Sequence, residues 1–265
     1  RSVLPTRLAS AIGIQQSAAP MAAMLAGLVG PLIGVWFGWR WAFVVLGVAT
    51  LVALAAFHGR PEPSGSPKPD IRRASTPKYL VTIAVGASFA VAAPLSLTAF
   101  LVDYATTLGF SPTVGGLLLT IGGLGTIAVR IVAGYWADRS SGTHLRAVSG
   151  LLLMGSVGYF LIAIPIPWLL PVGVLVALSL AWGTAGLVFL SVIRLSPDAA
   201  ASAVGSIVLA TSLGAIVAPV LIGVVAENIS YSVAWLLAAS WVLIGAGLMA
   251  LGARMVRRQG GITFL

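Results

Sequence analysis

Apolar residues gather in eight runs, approximately 9–36, 40–58, 79–103, 113–134, 147–165, 168–191, 201–226 and 231–253, with polar residues confined to the gaps. At 1.5 Å per residue, about 20 residues carry a helix across a ~30 Å hydrocarbon layer. The pattern therefore predicts an all-α, polytopic membrane protein with eight transmembrane helices. Glycines recur along the runs (Gly27, Gly30, Gly122, Gly123, Gly214 among them), which suits close helix–helix approach in lipid. Pro20, Pro31, Pro94 and Pro219 fall inside runs. A membrane helix tolerates such a proline when a neighbour satisfies the carbonyl it frees.

Composition agrees with lipid as the solvent: 59% of residues are hydrophobic and 8% charged, against roughly 25% charged in soluble domains. The net charge of +9 is not a nucleic-acid footprint, because the basic residues lie almost wholly in the gaps and no DNA- or RNA-binding motif accompanies them. They set topology instead. Thirteen of the fifteen lysines and arginines fall on the side of the N-terminus, 59–78, 135–146, 192–200 and the C-terminus. Arg40 alone lies on the other side, and Arg130 is within the membrane. Both termini are thus expected on the cytoplasmic side of the plasma (inner) membrane. With no cysteine, thiolate metal sites and disulfides are excluded, and neither a metal nor a cofactor is expected. The first residue is Arg1 and no signal-peptide pattern precedes the first run, so the chain is expected to be cut from something longer.

The gap 59–78 holds five prolines and no apolar pattern, and reads as a cytoplasmic linker. It divides a two-helix segment, 1–58, from a six-helix segment, 79–258, with a tail at 259–265. The two segments share a repeat. Ala9-Ser10-Ala11-Ile12-Gly13 recurs as Ala201-Ser202-Ala203-Val204-Gly205, and Gly30-Pro31-Leu32-Ile33-Gly34 recurs near Ala218-Pro219-Val220-Leu221-Ile222-Gly223. The first two helices are a second copy of the last two.

Two halves of six helices joined by a cytoplasmic linker resemble the major facilitator superfamily, whose halves are parallel repeats. Gly134-x-x-x-Asp138-Arg139 is similar to the family's loop between the second and third helices of a half, with its Gly-Arg pair displaced to Gly142 and Arg146. Gly30-Pro31-x-x-Gly34 before Gly38-Trp39-Arg40 is similar to its fifth-to-sixth helix junction. The resemblance implies a partial major facilitator fold, helices five to twelve. Arg130-x-x-x-Gly134 also resembles the eighth-helix arginine of monocarboxylate-type carriers, implied there to hold a substrate carboxylate; Thr126 stands where those carriers often place an aspartate.

Arg130 lies eight residues before Asp138, about 12 Å along a helix and close to mid-bilayer depth. An arginine there costs roughly 3 kcal/mol by insertion scales, so it needs a partner or a water-filled cavity. Arg130, Ser96 and Trp182 are the candidate substrate ligands, with Arg130 as a forked partner for a carboxylate; the alternative for Arg130 is a structural brace or a side chain that snorkels to the cytoplasmic face. Gly134, Asp138 and Arg139 are a candidate conformational latch, and Pro31 and Pro219 candidate hinges. Asp103 is the candidate for proton coupling, against a plain interfacial carboxylate.

No nucleophile elbow, phosphate-binding lysine loop or metal cluster is present, so the protein is not expected to be an enzyme. The leading expectation is a monomeric secondary transporter that moves a small organic solute through the lipid membrane by alternating access, coupled to protons. The other readings are a proton-coupled exporter of drugs or metabolites and a truncated fragment that transports nothing.

Overall fold

The computed structural model describes residues 7–38, 40–57 and 77–259. Apart from 77 and 78, the expected linker lies outside the described residues, as does the tail from 260. The chain forms ten α-helices there: α1 (Leu8–Gln16), α2 (Ala18–Trp36), α3 (Arg40–Phe57), α4 (Lys78–Thr107), α5 (Pro112–Asp138), α6 (Leu145–Ala163), α7 (Leu169–Val176), α8 (Ala185–Leu195), α9 (Ala200–Asn228) and α10 (Tyr231–Arg258). No strand occurs among the described residues.

Helix therefore covers all eight apolar runs. Six spans are long and apolar enough to cross a bilayer: α4, α5, α6, the continuous stretch Leu169–Leu195 made by α7 and α8, α9 with the turn before it, and α10. The first run is divided at Ser17 into α1 and α2. The second run is α3, whose apolar portion, Phe43–Ala56, is shorter. Helix starts follow local chemistry where a cap is available. Ser111 accepts the Val114 amide ahead of Pro112, and Ser230 accepts that of Val233, two ordinary N-caps.

The bundle is organised around α4 and α5. Helix α4 packs between α9 and α10, and α10 also packs along α6. Helix α5 carries α1 and α2 along one side and the α7–α8 span along another, while α3 packs on α2. The largest fully buried side chains, Trp235, Tyr104 and Tyr159, lie on α10, α4 and α6. Between α7 and α8 the backbone widens to a π-type turn over Ala177–Ala181 and then tightens over Trp182–Thr184. Irregular backbone at membrane depth survives only where protein groups satisfy it. Those groups come from α5.

Candidate functional site

Two side chains one turn apart on α5 serve that irregular stretch. The Thr126 hydroxyl lies 2.9 Å from both the Gly122 and Leu178 carbonyls. Arg130, only 3% exposed, donates to the Trp182 carbonyl from Nε at 3.3 Å and from Nη2 at 2.8 Å. Its Nη1 donates to the Gln16 carbonyl, the last of α1. That carbonyl is free for a reason written in the sequence. Its helical partner would be the amide of residue 20, which is Pro20 and has none. Arg130 thus bridges two backbone defects on different helices. The Trp182 ring centroid lies 5.7 Å from the guanidinium carbon. Hydrogen bonds to a charged group contribute roughly 1.5–3 kcal/mol each, enough to offset an insertion cost of ~3 kcal/mol. Three of the five guanidinium N–H groups are engaged, and the packing of Gly13, Gly134, Gly183 and Gly186 around Arg130 leaves no room for a water molecule.

At the C-terminal end of the same helix, Asp138 binds α1 directly. Its Oδ1 accepts the Ala9 amide at 2.8 Å, and its Oδ2 accepts the Ser10 amide at 3.0 Å together with the Ser10 hydroxyl. Ala9 and Ser10 open α1, whose own N-cap residue, Arg7, makes no side-chain cap bond. Asp138 therefore does across the fold what an N-cap does locally, with its charge facing the positive end of the helix. The seam between these helices is closed by two glycines. A Cβ on Gly13 would lie 2.8 Å from the Arg130 carbonyl oxygen, and one on Gly134 would lie 3.0 Å from that of Ala9. Both obstacles are backbone, so neither can move aside cheaply.

Arg139 does not join Asp138. Its guanidinium carbon sits 3.5 Å from the Tyr135 ring centroid, and it donates to the Tyr135 hydroxyl. Beside the seam a cavity of about 750 Å³ opens, lined by Arg7, Ser10, Ile14, Tyr135, Asp138 and Arg139.

The loop after Asp138 is held by a third arginine. Arg194 on α8 donates to the carbonyls of Gly142 at 2.9 Å, Ser140 at 3.3 Å and Ala137 at 3.4 Å, and its Nη1 lies 3.1 Å from His144 Nε2. The His144 ring packs on Trp136, centroids 5.0 Å apart, and its amide donates to the Ser191 hydroxyl at 3.1 Å. Burial, and then the Arg194 guanidinium, hold the imidazole below the ordinary histidine range, so it is the neutral ring that fits here.

The other predicted residues are dispersed. Arg130 and Trp182 meet, but through the Trp182 carbonyl. Ser96 is buried on α4 and donates to its own helix at Ala92, 2.9 Å away. Pro219 lies inside α9, which runs through it. Pro31 falls on α2, but its side-chain surroundings lie outside the described residues. Asp103 is exposed on α4 and accepts the Tyr231 hydroxyl; the Tyr231 ring packs on Tyr104, whose hydroxyl donates to the Ile162 carbonyl at 2.7 Å. Sequence reasoning did not single out Ser10 as Asp138's partner, the pairing of Gln16 with Pro20, or Arg194. Of these, the Gln16–Pro20 spacing carried a readable signal.

The sequence pattern of the Major Facilitator Superfamily matches the chain in two overlapping stretches, residues 1–210 and 79–261. No curated protein matches it.

Proposed function

Because the chain belongs to the major facilitator superfamily, a family of membrane transporters, we propose that it is a secondary carrier moving a small organic solute by alternating access. Both termini face the cytoplasm in this reading, and the α1–α5 seam is the cytoplasmic gate. The observation that supports it is the Asp138 cap on α1. That bond joins the segment before the linker to the segment after it, and it exists only while their ends are together. Parting the seam breaks three hydrogen bonds to one carboxylate and exposes a helix N-terminus, so the closed state is favoured without being locked.

Arg130 sits about 12 Å deeper on the same helix and is the solute's anchor. A carboxylate is the ligand that a guanidinium takes in two-pronged fashion. As α1 withdraws, the Gln16 carbonyl leaves Nη1, and a solute carboxylate takes its place. Proton coupling is assigned to Asp103, the acid on α4. The competing reading, export of amphipathic compounds, draws on the same geometry, since main-chain carbonyls already satisfy the Arg130 charge.

Counterflow of labelled short-chain monocarboxylates into proteoliposomes separates the two. A monocarboxylate carrier gives saturable exchange that Arg130→Lys weakens and Arg130→Gln abolishes. Exchange that survives Arg130→Gln, or its absence for every acid alongside efflux of lipophilic cations, would exclude the carboxylate reading.

A further inference from the structure

Helices α5 and α6 both pack on the α7–α8 span rather than closely on each other. Over Ala128–Trp136 on α5 and Ala147–Met154 on α6 they leave a groove of about 590 Å³, with Leu187 of α8 as its floor. Ala128, Val132 and Trp136 form one wall; Gly150 and Met154 form the other. Its lining is almost wholly carbon, so a polar solute or an ion has nothing to bind there.

The groove arises because the chain places small residues where nothing of its own fills the space. A Cβ added at Gly150 would meet no atom within 4 Å. Two other glycines on α6 are spent differently: a Cβ on Gly155 would lie 2.8 Å from the Ala181 nitrogen, and Gly158 likewise presses on the backbone of Ala177. Gly155 and Gly158 serve helix contact, whereas Gly150 opens a slot toward the surrounding solvent, which for this fold is lipid.

Depth selects the occupant. From Ala128 to Trp136 the groove runs eight residues, about 12 Å, close to one leaflet of a ~30 Å hydrocarbon core. A partner transmembrane helix would need the full thickness. Trp136, half exposed, marks the boundary end of the groove, the depth at which tryptophan prefers to sit; its ring is braced from behind by His144.

Charge selects the head group. Arg146, in the first turn of α6 and one turn above Gly150, is exposed and makes no hydrogen bond or ion pair among the described residues. The nearby basic groups are engaged elsewhere, Arg139 on Tyr135 and Arg194 on the loop carbonyls. Asp138, the one acid at this end of α5, is occupied by α1.

We propose that this groove is a binding site for an anionic phospholipid of the leaflet on the Arg146 side, with one acyl chain lying between α5 and α6 and its phosphate on the Arg146 guanidinium. The inference rests on membrane embedding, not on what the protein carries. The bound chain would buttress α5 on the face opposite its seam with α1. Ala133 borders both the groove and the packing around Arg130, so the lipid would support the helix that carries the gate.

Native mass spectrometry of the purified full chain, titrated with phosphatidylglycerol or phosphatidylcholine of matched acyl chains, tests this. One basic residue at a membrane surface favours an anionic lipid roughly five-fold. Wild type should retain one phosphatidylglycerol with that preference. Arg146→Gln should abolish the preference while still retaining lipid. Gly150→Leu, which adds a side chain where nothing is displaced, should lose the retained lipid of either class, and Ala128→Leu should do the same from the opposite wall. Dibrominated lipid provides a second readout: its quenching, taken as the difference between wild type and Trp136→Phe, should disappear in Gly150→Leu. Unchanged retention in both filled-groove variants overturns the proposal, as does a phosphatidylglycerol preference that survives Arg146→Gln. A dimer that Gly150→Leu dissociates would make the groove a protein interface and would equally overturn it.

Discussion

Replacing Asp138 with asparagine should open the seam between α1 and α5. The carboxylate accepts two amides, at 2.8 and 3.0 Å, and the Ser10 hydroxyl. Asparagine keeps one acceptor oxygen, but turns an NH₂ toward donors and removes the charge from the helix end. A lost N-cap costs about 0.5–2 kcal/mol, and the charge–dipole interaction adds about 0.3–1 kcal/mol, so the closed state should weaken by about 2 kcal/mol. That is roughly a 30-fold rise in the open-to-closed ratio. The chain contains no cysteine, so a single Ala9→Cys reports without background. Ala9 is 3% exposed and lies at the seam against Gly134. Where opening is fast compared with thiol reaction, labelling follows the open population. Labelling of Ala9→Cys should therefore speed up about 30-fold in the Asp138→Asn background. Ser10→Ala, which removes one hydroxyl bond worth about 1 kcal/mol, should give about five-fold. Asp198→Asn, an exposed acid on the turn before α9, should leave the rate unchanged. Equal rates with and without Asp138→Asn would refute the reasoning.

Further expectations follow from the same contacts. Arg130→Ala leaves the Gln16 and Trp182 carbonyls without their donors, at roughly 1–3 kcal/mol each, and should lower the thermal midpoint in detergent well below that of wild type, with Arg130→Lys between; a midpoint equal to wild type would remove the bridging role. Gly134→Val drives a Cβ against the Ala9 backbone, an overpacking cost of about 1–3 kcal/mol, and should raise Ala9→Cys labelling even with Asp138 intact. His144 makes stability depend on pH. Its folded value lies below the ordinary 6.5, so the unfolded chain binds more protons just beneath that value. Its contribution is therefore complete above about pH 6.5 and declines as pH falls through the folded value. His144→Gln should flatten that part of a thermal scan, and an unchanged profile would show that the ring does not titrate in place.

Helix placement was legible because lipid enforces it. Runs of about 20 apolar residues have few alternatives in a bilayer, and α6 and α9 fall where the runs lie, with the ends of α4, α5 and α10 extending a few residues into polar sequence. The division of the first run at Ser17 was not read, although it is local. Pro20 withdraws the donor that Gln16 needs, and Ser17 turns its hydroxyl onto the Gly13 carbonyl at 2.8 Å. The depth of Arg130 could be counted along the helix, but its partners could not. Backbone carbonyls carry no residue signature, and the Trp182 carbonyl depends on a turn geometry that no side-chain pattern announces. Asp138 was singled out through its motif beside Arg139, yet its partners lie on α1, nearly half the chain away. Local pairing was the wrong place to look for a bond made by tertiary packing. Arg194 read as a topology charge because exposed and loop-bonding arginines look alike in sequence.

Whether the segments on either side of the linker part at this seam can be measured directly. Spin labels at Ile14 and Tyr135, which both line the cavity beside it, would give a distance distribution by pulsed electron paramagnetic resonance in nanodiscs. Alternating access predicts two populations, with the longer distance enriched by Asp138→Asn. A single narrow distribution that the substitution leaves in place would contradict it.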